Sequence, residues 1–106
     1  MSWGSYIGGA VYVAKTVGYP FAKIGLTVCD ADAAEQAVAV RLKKLGKNCP
    51  LPLKLVMYAY VEDAPGIEAD LLSRFANVRV VGEWVRVRSP LVVVRELGRL
   101  VEAWVP

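Results

Sequence analysis

The chain has 106 residues, enough for one hydrophobic core and too few for two domains. Its net charge is a mild +3, from 13 Lys and Arg against 10 Asp and Glu, and it has no histidine, which excludes a histidine general base and leaves zinc without its usual ligands. Although 56% of the residues are hydrophobic, charges interrupt every stretch before it reaches the roughly 18 consecutive apolar residues of a membrane span.

Met1-Ser2-Trp3-Gly4-Ser5 lacks the basic and then apolar pattern of a secretory signal, so the expectation is a soluble cytoplasmic protein with no membrane partner. Ala10-Val11-Tyr12-Val13-Ala14 is short, β-branched and aromatic, as suits a strand over Gly9 to Lys15. Thr16-Val17-Gly18-Tyr19-Pro20 carries turn residues, and Phe21 to Leu26 makes a second strand, antiparallel to the first. Asp30 and Asp32 offer N-caps to an Ala-rich helix ending near Leu45, with Gly46 as its C-cap. Ala34, Val38, Leu42 and Leu45 form its buried stripe. Arg41 lies beside that stripe, close enough for its side chain to reach the rim of the sheet. Cys29 and Cys49 stand in no CxxC spacing and read as two separate, buried or half-buried thiols, since cytosolic disulfides are credible mainly in hyperthermophiles.

After Pro50 and Pro52, Leu53 to Val61 is the longest β-like run and the candidate central strand. A second helix opens near Ala64-Pro65, where proline fits a first turn, and buries Ile67, Leu71 and Phe75. Glu68 sits one position round from Ile67, at the edge of that buried face. Val78 to Val81 and Glu83 to Arg88 read as two short strands around Gly82; Glu83 beside Trp84 could belong to a site, and the favoured reading has Trp84 in the core and Glu83 paired to a neighbouring arginine. Ser89 then caps a last helix with Pro90 at its first position and Val93, Leu97, Leu100 and Trp104 inside. The expected fold is α+β: a small, mostly antiparallel sheet with three helices, in the order β-β-α-β-α-β-β-α, as a single domain over residues 1–106.

Several of these pieces occur in a familiar order. Val11-Tyr12-Val13 and Lys23-Ile24-Gly25 come first, then Arg41 to Leu45, Pro50 to Leu53, Glu68 to Phe75 and Gly82-Glu83-Trp84. Together, over about residues 9–104, they resemble the GIY-YIG nuclease superfamily, above all its Lys-Ile-Gly branch common in phages and viruses. The resemblance implies a metal-dependent DNA endonuclease that hydrolyses phosphodiester bonds, in the host cytoplasm if the protein is viral. It places Tyr12 in the active site as general base or positioner of the nucleophile and Lys23 at the second motif's aromatic position. Arg41 would contact the phosphate, and Glu68 would bind the metal, Mg²⁺ or Mn²⁺. Three departures stand out: extra residues between Gly25 and Arg41, Leu72 where many relatives have histidine, and Val85 where they have phenylalanine.

These residue types suit that chemistry. A guanidinium stabilises charge on a five-coordinate phosphorus through two directed hydrogen bonds. One carboxylate suffices for Mg²⁺, which keeps several waters and takes further ligands from the phosphate. Arg41, Lys43, Lys44 and Lys47 form a basic flank suited to tracking DNA phosphates, or simply a solvated helix face. Each site residue also has a plain alternative: Tyr12 as a packed core side chain, Lys23 as an exposed lysine, Arg41 as one more surface charge, Glu68 as an early-turn glutamate. The second functional reading is therefore a catalytically inactive nucleic-acid or protein-binding module. A third is a homodimer contact through Trp3, Tyr6 and Trp104.

Overall fold

The run from Ala10 to Ala14 has no polar main stop on either face, and in the computed structural model, which describes residues 6–49 and 51–103, it is buried on both. It forms the middle of β1 (Gly9–Thr16), which pairs antiparallel with β2 (Phe21–Val28) on one side and with β3 (Leu53–Val61) on the other. Two short strands, β4 (Arg79–Val81) and β5 (Trp84–Arg86), complete an antiparallel sheet of order β3-β1-β2-β5-β4. With α1 (Ala34–Asn48), α2 (Ala64–Arg74) and α3 (Leu91–Ala103), the chain has the α+β class and the element order expected.

Strand alternation divides the interior in two. Val11, Val13, Ala22, Ile24 and Val85 point to one face and meet Ile67, Leu71 and Leu72 of α2 and Val93 and Leu97 of α3. Ala10, Tyr12 and Ala14 point to the other and meet Ala34 and Val38 of α1. The pairing of β1 with β3 shifts between Val13↔Met57 and Ala14↔Leu55, leaving Val56 as an extra residue. This bulge lets Leu55 and Tyr58, three positions apart, serve the α1 face together, while Val56 and Met57 serve the other.

One contact fixes the α1 face. Tyr12 of β1 sits opposite Gly25 of β2, and a Cβ added to Gly25 would lie 2.4 Å from both Cζ and Oη of Tyr12. The phenol ring therefore lies across the bare Cα of Gly25, reaching from β1 over β2.

Several expectations need correction. β3 is an edge strand, and its long apolar run is half-buried because helices cover both faces of the sheet, not because strands flank it. α1 does not stop at Leu45: it runs through Gly46 to Asn48, where the Cys49 N–H bonds to the Gly46 carbonyl. A 3₁₀ turn over Ala31–Ala33 precedes it, and neither Asp30 nor Asp32 caps the helix; Ala33 holds that position. β5 ends at Arg86, so Arg88 lies beyond the sheet. The Asp63 side chain caps α2 by accepting from the Gly66 N–H at 3.2 Å, and the Ser89 Oγ accepts from the Leu91 N–H at the start of α3. Cys29 and Cys49 are free, half-buried thiols. Trp3, Pro50 and Trp104 lie outside the described residues; Tyr6 is exposed. Among the described residues no helix is long and apolar enough to cross a membrane.

Replacing Gly25 by alanine forces its Cβ into the Tyr12 ring, an overpacking that costs about 1–3 kcal/mol. Urea denaturation should show this loss for Gly25→Ala in the Tyr12 background and a clearly smaller one when Tyr12→Ala is present in both members of the pair. Equal losses in the two backgrounds would mean that the ring and the glycine are not coupled.

Candidate functional site

The sheet has a notch beside Tyr12. β5 pairs with β2 only over Phe21, Ala22 and Lys23, so from Ile24 onward the outer edge of β2 is left to other groups. The Ile24 N–H donates to the Glu83 carbonyl at 3.0 Å, which holds Glu83 at the mouth of that notch. Gly82, at φ +55°, makes the tight turn from β4 that delivers it there. α2 packs on the far face through Ile67 and Leu71, and Glu68, the next residue round, comes over the edge into the same space.

Lys23 shares a sheet face with Tyr12 and Gly25, since Lys23 pairs with Ala14 and Gly25 with Tyr12. Its Nζ donates to Glu83 Oε1 at 2.9 Å and stands 5.7 Å from the centre of the Trp84 ring, within cation–π range. The lysine is buried and only 8% exposed, so its positive charge is compensated by the Glu83 carboxylate and not by solvent. Glu83 thus pairs with Lys23 and not with an arginine, and Trp84 is only partly buried instead of being core.

Glu68 is the least satisfied group. Its Oε2 is buried without a hydrogen-bond partner among the described residues. Burial, followed by the neighbouring Glu83 carboxylate, raises its pKa from 4.5 to about 7, with Lys23 pulling the other way. Two carboxylates this close share a hydrogen bond only when one carries a proton, which is why the contact with Glu83 favours the neutral acid and leaves the ionised form unpartnered. Tyr12, 1% exposed, also has its pKa raised, chiefly by burial. The Arg41 guanidinium opposes that rise by a hydrogen bond and by its charge, while Glu83 and Glu68 add to it.

Arg41 follows Val38 by three residues on α1, which places it at the rim of the helix face that covers Tyr12. Its exposed position leaves the guanidinium open to solvent on one side and to the phenol on the other. The four residues singled out in the sequence, Tyr12, Lys23, Arg41 and Glu68, therefore meet from four elements, and Glu83 joins them from the turn before β5. In the sequence Glu83 reads as a less favoured site candidate, next to a glycine that takes positive φ in the structure. Lys43, Lys44 and Lys47 are exposed along α1. Leu72 is buried in the core between sheet and helices.

No group of three or more His, Cys, Asp or Glu side chains is arranged to hold a metal ion among the described residues. What the site does offer a cation is the unpartnered Glu68 oxygen, the nearby Glu83 carboxylate and the phenol oxygen of Tyr12. This all-oxygen donor set fits Mg²⁺ or Mn²⁺, which keep waters in their remaining positions.

The raised acid has a measurable consequence. Because Glu68 binds its proton more tightly folded than unfolded, folding stability is highest below about pH 4.5 on this account and falls as pH rises towards 7. Denaturation of metal-free protein across that range should show the decline, and Glu68→Gln should flatten it; a decline that survives the substitution must come from another group. Neither a family model, nor a curated protein, nor a solved structure matches this chain.

Proposed function

We propose that the chain is a metal-dependent endonuclease domain that hydrolyses phosphodiester bonds in DNA, of the GIY-YIG type its motifs resemble. One observation supports this reading above the others: Tyr12, Lys23, Arg41, Glu68 and Glu83, scattered over more than 70 positions, gather at one notch beside the sheet. An unpartnered carboxylate gathered with a buried phenol, whose other neighbour is a guanidinium, is costly to fold around and useful for phosphate chemistry.

In this reading Glu68, with Glu83 beside it, holds Mg²⁺ or Mn²⁺. Such an ion, when bound, polarises the phosphate and eases departure of the leaving oxygen. The Arg41 guanidinium, half in solvent, takes the non-bridging phosphate oxygens and offsets the charge that develops on them. Tyr12 keeps its proton near neutral pH, because burial raises its pKa; it therefore orients the attacking water as a hydrogen-bonding phenol and does not act as a phenolate base. Lys23 holds Glu83 in place through their ion pair. Lys43, Lys44 and Lys47 extend the cationic surface along α1 for the neighbouring phosphates of DNA.

A second reading, a catalytically inactive nucleic-acid-binding module, draws on Leu72. This residue belongs to the apolar core, so no side chain at that position serves proton transfer at the notch.

Purified protein with supercoiled plasmid separates the two readings. The nuclease reading expects nicking that requires Mg²⁺ or Mn²⁺ and falls about 100-fold or more in Glu68→Ala and in Arg41→Ala. Undiminished nicking in Glu68→Ala would sink the metal assignment. Salt-sensitive DNA binding with no nicking in either metal would instead establish the binding module.

A further inference from the structure

Beside the notch, on the same sheet face, lies a cleft of about 420 Å³ between the last turn of α1, the start of β3 and the β5–β4 ribbon. It touches the proposed site through one residue: Lys23 is both a wall of the cleft and the partner of Glu83. Two aromatic side chains line it, Phe21 from β2 and Trp84 from β5, with Leu45, Leu53 and Val81 among its apolar walls. Its polar groups are few: the Thr16 hydroxyl, the Lys23 ammonium, the Cys49 thiol and the Asn48 side chain at the end of α1.

We propose that this cleft receives one unstacked nucleobase of a single-stranded or locally opened DNA strand, next to the phosphate held at the notch. The inference rests on the nuclease reading for the identity of the ligand as nucleic acid. The cleft is in the size class of small-molecule sites, about 300–1,000 Å³, and has the composition such sites share: mostly apolar walls with few polar groups. A planar heterocycle is the occupant that suits an indole and a phenyl ring together, because every base has a π-face and stacking is tolerant of sequence. Asn48 carries an amide that can both donate to and accept from a base edge. The charge is complementary as well: Lys44 and Lys47, exposed on α1 around Asn48, stand where the strand's phosphates would leave the cleft. Val80 and Val81, 56% and 67% exposed, form an apolar rim that the chain itself leaves open to solvent and that a base would cover.

The test is binding without divalent metal, so that cleavage plays no part. Full-length protein in EDTA is titrated into a short fluorescent oligothymidylate, an abasic oligomer of the same length and a blunt duplex. The wild-type protein should bind the oligothymidylate more tightly than the abasic strand. Trp84→Ala should weaken oligothymidylate binding about 5- to 100-fold, the range for loss of one base–aromatic stack, and leave abasic and duplex binding nearly unchanged. Trp84→Phe should restore most of the loss. Val81→Asp, at an exposed rim position where folding is not at stake, should weaken oligothymidylate binding in the same selective way. Equal affinity of the wild-type protein for the abasic and base-bearing strands would overturn the proposal, as would a uniform loss across all three ligands in Val81→Asp. Failure of the nuclease reading looks different: no nicking with either metal, yet base-selective binding that depends on Trp84, leaves the cleft assignment standing.

Discussion

The α1 half of the molecule depends on a missing side chain. Gly25 is the only residue type that lets the Tyr12 ring lie across β2, because any Cβ there would overlap the ring. Once the ring lies flat, α1 can settle over it with small side chains: Ala34 and Val38 are its buried contacts, and larger residues at either place would hold the helix off the sheet. The same ring carries its hydroxyl out of the core and into the neighbourhood of Arg41, Glu68 and Glu83. Packing and chemistry are thus set by one glycine–tyrosine pair.

The charges at the notch are arranged so that one of them is left over. Lys23 and Glu83 form a buried-to-half-buried pair at 2.9 Å, a geometry in which each ion answers the other's desolvation. Arg41 sits at the rim, where solvent meets its needs. Glu68 has neither solvent on its buried oxygen nor a cation of its own, and Lys23, the nearest, is already engaged with Glu83. A proton relieves it, which accounts for a pKa near 7, and in the proposed nuclease reading a metal ion would take that proton's place.

Local pattern was legible in the sequence wherever it decides structure on its own. The bounds of β3, Leu53–Val61, follow from a run of β-branched and aromatic residues between Pro52 and Glu62, and α2 opens at Ala64-Pro65 as the proline requires. Position in the sheet was not legible. β3 reads as central because it is apolar on both faces, but helices on either side of a sheet impose the same demand on an edge strand. Gly46 shows the opposite error: a glycine near a helix end reads as a stop, yet α1 carries on to Asn48 because Gly46 has no need of a positive φ. At the notch, Tyr12, Lys23, Arg41 and Glu68 were each visible in the sequence, whereas Glu83 depends on the fold. Its partner is chosen by which strand β5 pairs with, and that long-range register places Lys23, not an arginine, within reach.

The lack of histidine acquires a specific meaning in this arrangement. With no imidazole in the chain, the group at the notch whose pKa burial brings to about 7 is Glu68, while burial raises that of the Tyr12 phenol. Leu72 lies one helical turn on from Glu68 and packs in the core formed with the sheet, where a histidine would have to be buried among aliphatic side chains. What sets the notch apart is this acid, whose proton is held first by burial and then by the Glu83 carboxylate, and whose Oε2 is buried without a hydrogen-bond partner among the described residues.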